Sequence, residues 1–234
     1  MSMLDQPALY LTALPVAGYV IGSTPFAVLI ARGCGVDLQK QGSGNVGATN
    51  VGRTCGAAWG YLCFALDVLK GLLPTLAAGW LLSGLGGEGP PSALAQAGWL
   101  AAGCGCILGH VFSFYLRFRG GKGVATSLGV VLGVYPYFTW PGLAALGIWI
   151  AVTLASRYVS LGSVVAALAF GPVFVLANLG LLAELWPLGA FAAAMVALIV
   201  LRHRANLVRL VRGTENRIGS KRRESPAAPP SSSS

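Results

Sequence analysis

Gly133-Val-Tyr-Pro-Tyr-Phe-Thr139 interrupts an apolar run that reaches from Gly123 to Ala155, and its reading sets the number of membrane crossings. As a turn it separates two helices; as a kink it leaves one. Proline lacks the N–H that a helix interior requires, and tyrosine is favoured where bilayer meets water, so the turn is the better reading. Charge supplies an independent test. One merged helix would carry Arg157 to the face opposite the other basic loops, against the positive-inside bias.

Working outward from that break, apolar segments fall at 8–31, 56–82, 94–116, 123–135, 137–155, 159–178 and 185–201. About 20 apolar residues cross a hydrocarbon core, and the fourth segment is short. With the N-terminus outside, fifteen of the sixteen Lys and Arg residues fall inside, the exception being Lys70 within the second span. The outer segments hold Asp5, Glu88 and Glu184 and no Lys or Arg. The expected fold is an all-α integral membrane protein with seven transmembrane helices, N-terminus outside and C-terminus cytoplasmic. Residues 1–219 form one polytopic membrane catalytic domain, and 220–234 a disordered tail, basic and then rich in Pro and Ser.

Composition agrees. The 234 residues are 55% hydrophobic and 10% charged, with a mean hydropathy of +0.71, whereas soluble domains carry about 25% charged residues. No cleavable leader is predicted: the first nine residues hold Asp5 and no basic residue, and the apolar run that follows is too long. A net charge of +9 is explained by basic loops beside membrane spans, so nucleic acid is not an expected partner. The five cysteines (34, 55, 63, 104, 106) share no metal-ligand spacing with histidine, and no metal or cofactor is expected. Within apolar runs such as Cys104-Gly-Cys106, cysteine reads as a small packing residue.

Most of the polar chemistry lies in three stretches at segment edges, which the topology brings to the cytoplasmic face. The first, Gly42-Ser-Gly-Asn-Val-Gly-Ala-Thr-Asn-Val-Gly-Arg53, contains a literal G-x-G-x-x-G at Gly42, Gly44 and Gly47. The dinucleotide fingerprint also needs a strand and a βαβ unit, so NAD binding is disfavoured. There remains a glycine turn with Ser43, Asn45, Thr49 and Asn50 as hydrogen-bonding groups and Arg53 as a cation. The second, Arg119-Gly-Gly-Lys-Gly123, opens the fourth segment and resembles half a P-loop. Position 116 is Leu and Lys122 precedes Gly123, so the full phosphate-loop pattern fails. Gly120, Gly121, Lys122 and Gly123 still suggest a phosphate seat, where helix N–H groups and an ammonium converge. The third, Arg202-His-Arg-Ala-Asn206 running on to Glu215, reads as an interfacial amphipathic helix. Arg202, Asn206 and Arg209 share one face, while Leu207 and Leu210 can face lipid. Arg217, Lys221, Arg222 and Arg223 read as an anchor to anionic headgroups.

Two intramembrane features stay open. Asp67 and Lys70 stand about one turn apart and can pair, either as functional groups or as a self-neutralising structural device. His110 has three readings: a base, a ligand contact or a helix-cap contact.

The first stretch, Leu66-Asp67 with Lys70-Gly71, Leu108-Gly-His110, Phe118-Arg-Gly-Gly-Lys-Gly-Val-Ala-Thr126, Ser160-Leu161, and Arg202-His203 with Asn206, Arg209-Leu210, Gly213 and Glu215 resemble one family in order. It is the bacterial acyl-phosphate-dependent glycerol-3-phosphate acyltransferases, the PlsY type. The resemblance runs from about residue 10 to 219 and departs at Ser113, where the family commonly has Pro. It implies seven helices around a cytoplasm-facing site in the bacterial inner membrane. It also implies acyl transfer from acyl phosphate to the 1-hydroxyl of sn-glycerol 3-phosphate, giving 1-acyl-sn-glycerol 3-phosphate (lysophosphatidic acid) and phosphate. By motif, Ser43, Gly44, Asn45, Thr49 and Asn50 would line the phosphate end of the acyl donor. Arg53, Lys122, Ser160, His203 and Asn206 would hold glycerol 3-phosphate, the last four as the catalytic set. The remaining partner is membrane lipid.

The residues fit that chemistry. Two phosphorylated substrates need two adjacent anion sites, and an acyl phosphate is activated enough to need no covalent acyl-enzyme. The commonest membrane acyltransferase signature, H-x-x-x-x-D, is absent, since positions 115 and 208 are Tyr and Val. Direct attack is therefore expected, with positioning and charge stabilisation supplying the rate. The competing class is a transporter of an organic phosphate. Such proteins place their site near the midplane between inverted repeats, and no repeat is visible here.

Overall fold

The computed structural model describes residues 7–83 and 89–219. Asp5, Glu88, Lys221, Arg222, Arg223 and the rest of the predicted tail lie outside those residues. Among the described residues there are ten α-helices, two 3-10 turns and no strand. The helices are α1 (Pro7–Gly22), α2 (Phe26–Gly33), α3 (Ala48–Thr54), α4 (Ala57–Ser83) and α5 (Ala93–Val111). They continue as α6 (Val124–Gly133), α7 (Thr139–Ser156), α8 (Val159–Ala177), α9 (Trp186–Arg202) and α10 (Arg204–Val211).

Helix boundaries depart from the predicted segments where proline and hydrogen bonding decide them. The first segment is two helices broken at Ser23-Thr24-Pro25, because a proline disfavours helical geometry in the residue before it. The Tyr135-Pro136-Tyr137 stretch lies between α6 and α7, outside either helix. By length and apolarity five helical segments among the described residues can cross a membrane, or six if α9 and α10, bent by 53°, form one span. Helix α6 has ten residues, a length of about 15 Å against a hydrocarbon core of about 30 Å.

Close helix packing rests on glycine. A Cβ on Gly18 or Gly22 of α1 would lie 2.3 or 2.2 Å from the carbonyl oxygens of Ala102 and Cys106 on α5. Reciprocally, one on Gly105 or Gly109 would lie 2.3 Å from those of Pro15 and Tyr19. In lipid, where apolar surface gains little by leaving the solvent, such small-residue seams let backbones approach closely enough for dispersion to hold them. Gly71 of α4 and Gly129 of α6 form a second seam, against the carbonyls of Thr126 and Val68. Away from these seams, Trp80, Trp140 and Leu154 are exposed, as expected for side chains that face acyl chains.

Candidate active site

Asn50, in α3, organises the first stretch. Its Oδ1 accepts the Ser43 N–H at 2.9 Å, and its Nδ2 donates to the carbonyls of Leu38 and Gln41 at 3.1 and 3.0 Å. Gly42 and Gly44 take φ of +62° and +68°, a region that costs other residues about 1–2 kcal/mol. A Cβ on Gly42 would also stand 2.1 Å from Asn50 Oδ1. The loop thus folds around a buried amide, and Ser43, Gly44, Asn45, Thr49 and Arg53 line a cavity of about 340 Å³. Asn50 lines the same cavity, although its side-chain amide is engaged with the loop backbone.

In the second stretch the glycines divide. Gly123, with φ of +87°, precedes α6, and Gly123, Val124 and Ala125 line the cavity. The first N–H groups of a helix have no intrahelical acceptor, so this helix start offers donors to an anion. Gly120 and Gly121 do not line the cavity. Their N–H groups donate to the carbonyls of Val111 and His110, both at 3.1 Å. A Cβ there would stand 2.0 Å from His110 O or 2.2 Å from His110 Nε2. Of the predicted seat, Lys122, Gly123 and the first turn of α6 therefore line the cavity, whereas Gly120 and Gly121 are held by packing. Arg202 fastens the loop from behind by donating to the carbonyls of Gly120 and Gly121 at 3.4 and 3.0 Å.

The third stretch joins both. Lys122 Nζ donates to Asn206 Oδ1 in a short hydrogen bond. Asn206 Nδ2 donates to Glu215 Oε1 at 2.6 Å, and Ser160 Oγ donates to the same oxygen at 2.8 Å. Arg209 Nε closes the other carboxylate oxygen at 2.7 Å. Burial alone would raise the Glu215 carboxyl, but hydrogen bonds from Asn206, Arg209 and Ser160 outweigh it and hold the carboxyl below its usual value. Burial, with Arg209, Arg53 and Arg202 nearby and only Glu215 opposing, pushes the Lys122 ammonium down to about 8. His203 sits at the bend between α9 and α10 with Nδ1 2.8 Å from the Ile199 carbonyl. With the proton on Nδ1, Nε2 is the acceptor of the ring. Burial first, and then the Lys122 charge, push His203 down to about 4, so the ring is neutral near pH 7.

The structure thus gathers Ser43, Gly44, Asn45, Thr49, Asn50, Arg53, Lys122, Gly123, His203 and Asn206, from all three stretches, and Ser160 of α8 onto one cavity. Glu215, which is not among the predicted site residues, is the hub of this network. The signal was one carboxylate among the basic residues from Arg202 to Arg223. Arg202 and Arg209 share the cavity with Asn206, but not on one continuous helix as the spacing predicted: Arg202 ends α9 and the other two lie on α10, across a 53° bend at His203. On α10, Val208 and Val211 are the exposed large apolar residues, whereas the predicted lipid-facing Leu207 and Leu210 are half-buried. Arg53, Lys122, Arg202 and Arg209 line the cavity together with Asp67 and Glu215. Asp67 is paired with Lys70 and Glu215 with Arg209, which leaves a surplus of positive charge.

Fold and cavity together define a helical membrane protein whose main cavity is framed by helix ends and rich in cationic side chains. A family model for glycerol-3-phosphate acyltransferase matches residues 12–213. A glycerol-3-phosphate acyltransferase of Geobacter sulfurreducens is 45% identical over 217 residues, 92% of this chain and 98% of that one. One from a Roseiflexus species is 43% identical over 212 residues, 91% of this chain and 97% of that one. The crystal structure of PlsY, an integral membrane glycerol 3-phosphate acyltransferase, in its glycerol 3-phosphate form matches with a TM-score of 0.75 at 38% identity. It covers 89% of this chain and 96% of that one. The lysophosphatidic acid form matches with a TM-score of 0.73. The chain belongs to the glycerol-3-phosphate acyltransferase family.

Proposed function

We propose that this enzyme transfers a fatty acyl group from acyl phosphate to the 1-hydroxyl of sn-glycerol 3-phosphate, releasing 1-acyl-sn-glycerol 3-phosphate and phosphate. The observation that carries the reading is the continuous chain Lys122–Asn206–Glu215–Ser160 beside a neutral His203, on a cavity with surplus positive charge. Lys122, Arg53 and the start of α6 hold the phosphate of glycerol 3-phosphate. Ser160, His203 and Asn206 orient its hydroxyl. Ser43, Gly44, Asn45, Thr49 and the Asn50 scaffold receive the phosphate end of the donor.

The hydroxyl oxygen attacks the acyl carbonyl carbon as the bond from that carbon to the phosphate oxygen breaks. Positive charge balances the leaving phosphate. An imidazole at about 4 can accept a hydrogen bond from the hydroxyl but is a poor resting place for its proton. The hydroxyl proton therefore passes to a phosphate oxygen, for which the ordinary value is about 6. His203→Gln should keep an acid limb near pH 6, belonging to substrate phosphate; loss of that limb would assign the proton to His203.

Counting α6 with the turn after it as a crossing gives the seven-span reading, on which the site is cytoplasmic. Gly123 lines the cavity, whereas Asn178, at the other end of α8 from Ser160, donates to the Tyr137 carbonyl at 3.2 Å. The path from Gly123 through α6 and the turn therefore runs from one end of the bundle to the other despite the shortness of α6. With basic loops inside, residues 1–219 act as one catalytic unit in the bacterial inner membrane. Purified protein in lipid nanodiscs, given palmitoyl phosphate and glycerol 3-phosphate, should release phosphate and lysophosphatidic acid in equal amounts. Turnover with acyl thioesters alone, or phosphate-ester uptake into liposomes without acylated product, would overturn the proposal.

A further inference from the structure

Behind the cavity lies a cluster of ionisable side chains to which the reaction above gives no task. Asp67 and Lys70 of α4 are 2% and 5% exposed, and their Oδ1 and Nζ are 2.6 Å apart. His110, near the end of α5, brings Nδ1 to 3.7 Å from the same carboxylate oxygen. Lys70 Nζ also donates to the Thr24 carbonyl at 2.9 Å, at the break between α1 and α2, and lies over the Phe26 ring. One cluster therefore ties α4, α5 and the α1–α2 break.

Its other edge meets both anion loops. A Cβ on Gly121 would stand 2.2 Å from His110 Nε2 and 2.6 Å from the Val46 carbonyl oxygen. The imidazole, the glycine–lysine loop and the glycine–asparagine loop thus converge at one point. Asp67 and His110 line the main cavity on one side and a smaller one of about 10 Å³ on the other. A buried ion pair is a poor source of net stability, because desolvation cancels much of its attraction, and apolar residues of equal volume pack as well. An apolar cluster cannot, however, grip a backbone carbonyl where a helix breaks.

We propose that Asp67, Lys70 and His110 are positioning residues that fix the separation of the two anion loops without touching the reacting atoms. The inference rests on the proposed function, in which each loop takes one phosphorylated substrate. Transfer between two bound substrates depends steeply on their approach, with small misplacements costing about 100-fold. Each loop keeps its own ligand groups when the cluster is disturbed. Loosening it should therefore lower turnover far more than affinity.

Asp67→Asn, Lys70→Met, Lys70→Arg and His110→Gln test this in nanodiscs. Competent sites are counted by equilibrium binding of radiolabelled glycerol 3-phosphate, so that loss of folded protein is not scored as loss of rate. Turnover per site should fall about 100-fold in Asp67→Asn and Lys70→Met and about tenfold in His110→Gln, with both KM values within about threefold. Lys70→Arg, which can keep the pair and the bond to Thr24, should recover most of the rate. Unchanged turnover per site, or a KM that rises in step with the loss, overturns the proposal. If Asp67→Asn does not fold, the Lys70→Arg and Lys70→Met comparison together with His110→Gln decides it. Failure of the unsubstituted protein to use acyl phosphate would count against the proposed donor instead. The same split would then be read with the donor that is used.

Discussion

The glycine–asparagine loop and the glycine–lysine loop look alike in sequence but use glycine for different reasons. In the first, Gly42 and Gly44 adopt positive φ so that the chain can wrap the Asn50 amide. In the second, Gly120 and Gly121 are pressed against His110, and Gly123 alone of the three turns with positive φ, into the start of α6. One loop is shaped by an internal hydrogen-bond template and the other by the surface beneath it. The lesson is that a glycine-rich motif marks close approach of backbone, and only the fold tells whether a ligand or the protein itself is approached.

Substitutions can break that contrast, and the largest effect belongs to the packed loop. In Gly120→Ala the new Cβ meets a backbone carbonyl at 2.0 Å, so the loop must move. Activity should fall more than about 100-fold, with a lower Tm measured alongside. Asn50→Ala removes the template of the other loop and leaves three backbone groups without their partner, at about 2–3 kcal/mol. Its KM for the acyl donor should rise about tenfold or more while glycerol 3-phosphate binding, measured directly, changes little.

A pH series sharpens the role of Lys122. Its ammonium is held at about 8, so positive charge is present below that value and lost above it. Accordingly kcat/KM for glycerol 3-phosphate should decline as pH rises through about 8, and Lys122→Arg should remove that alkaline limb. Lys122→Met should raise KM for glycerol 3-phosphate about 30-fold, the worth of a charge-assisted bond to phosphate of about 2 kcal/mol. The smallest effect is expected for Gly44→Ala. Its φ of +68° costs alanine about 1 kcal/mol, and the nearest outside atom to its Cβ, the Gln39 carbonyl oxygen, is at 3.1 Å. A Tm lowered by a few degrees with activity within about threefold would place the two loops on opposite sides of the comparison.

Much of this was legible in the chain. Long apolar runs predicted helices at α4, α5, α7, α8 and α9 within a few residues, because burial in lipid requires every backbone group to be bonded within its own segment. The polar stretches named most of the cavity lining, since polar chemistry is scarce in such a sequence. Less legible were the break at Pro25, the brevity of α6 and the hub at Glu215. A carboxylate among arginines can be a solvated surface charge or the acceptor of a network, and spacing does not distinguish them.

Sequence alone determined the membrane class, most of the helical segments and the candidate anion-contact residues, through hydropathy and side-chain chemistry that act locally. Tertiary structure decided which of those residues meet. It set Ser160, Asn206 and Arg209 around Glu215, turned Gly120 and Gly121 toward His110, and closed Asp67, Lys70 and His110 behind the site. The contacts of Ser160 with Glu215 and of His110 with Asp67 join residues far apart in the chain, brought together by helices that pack at glycine seams, and no local pattern records them.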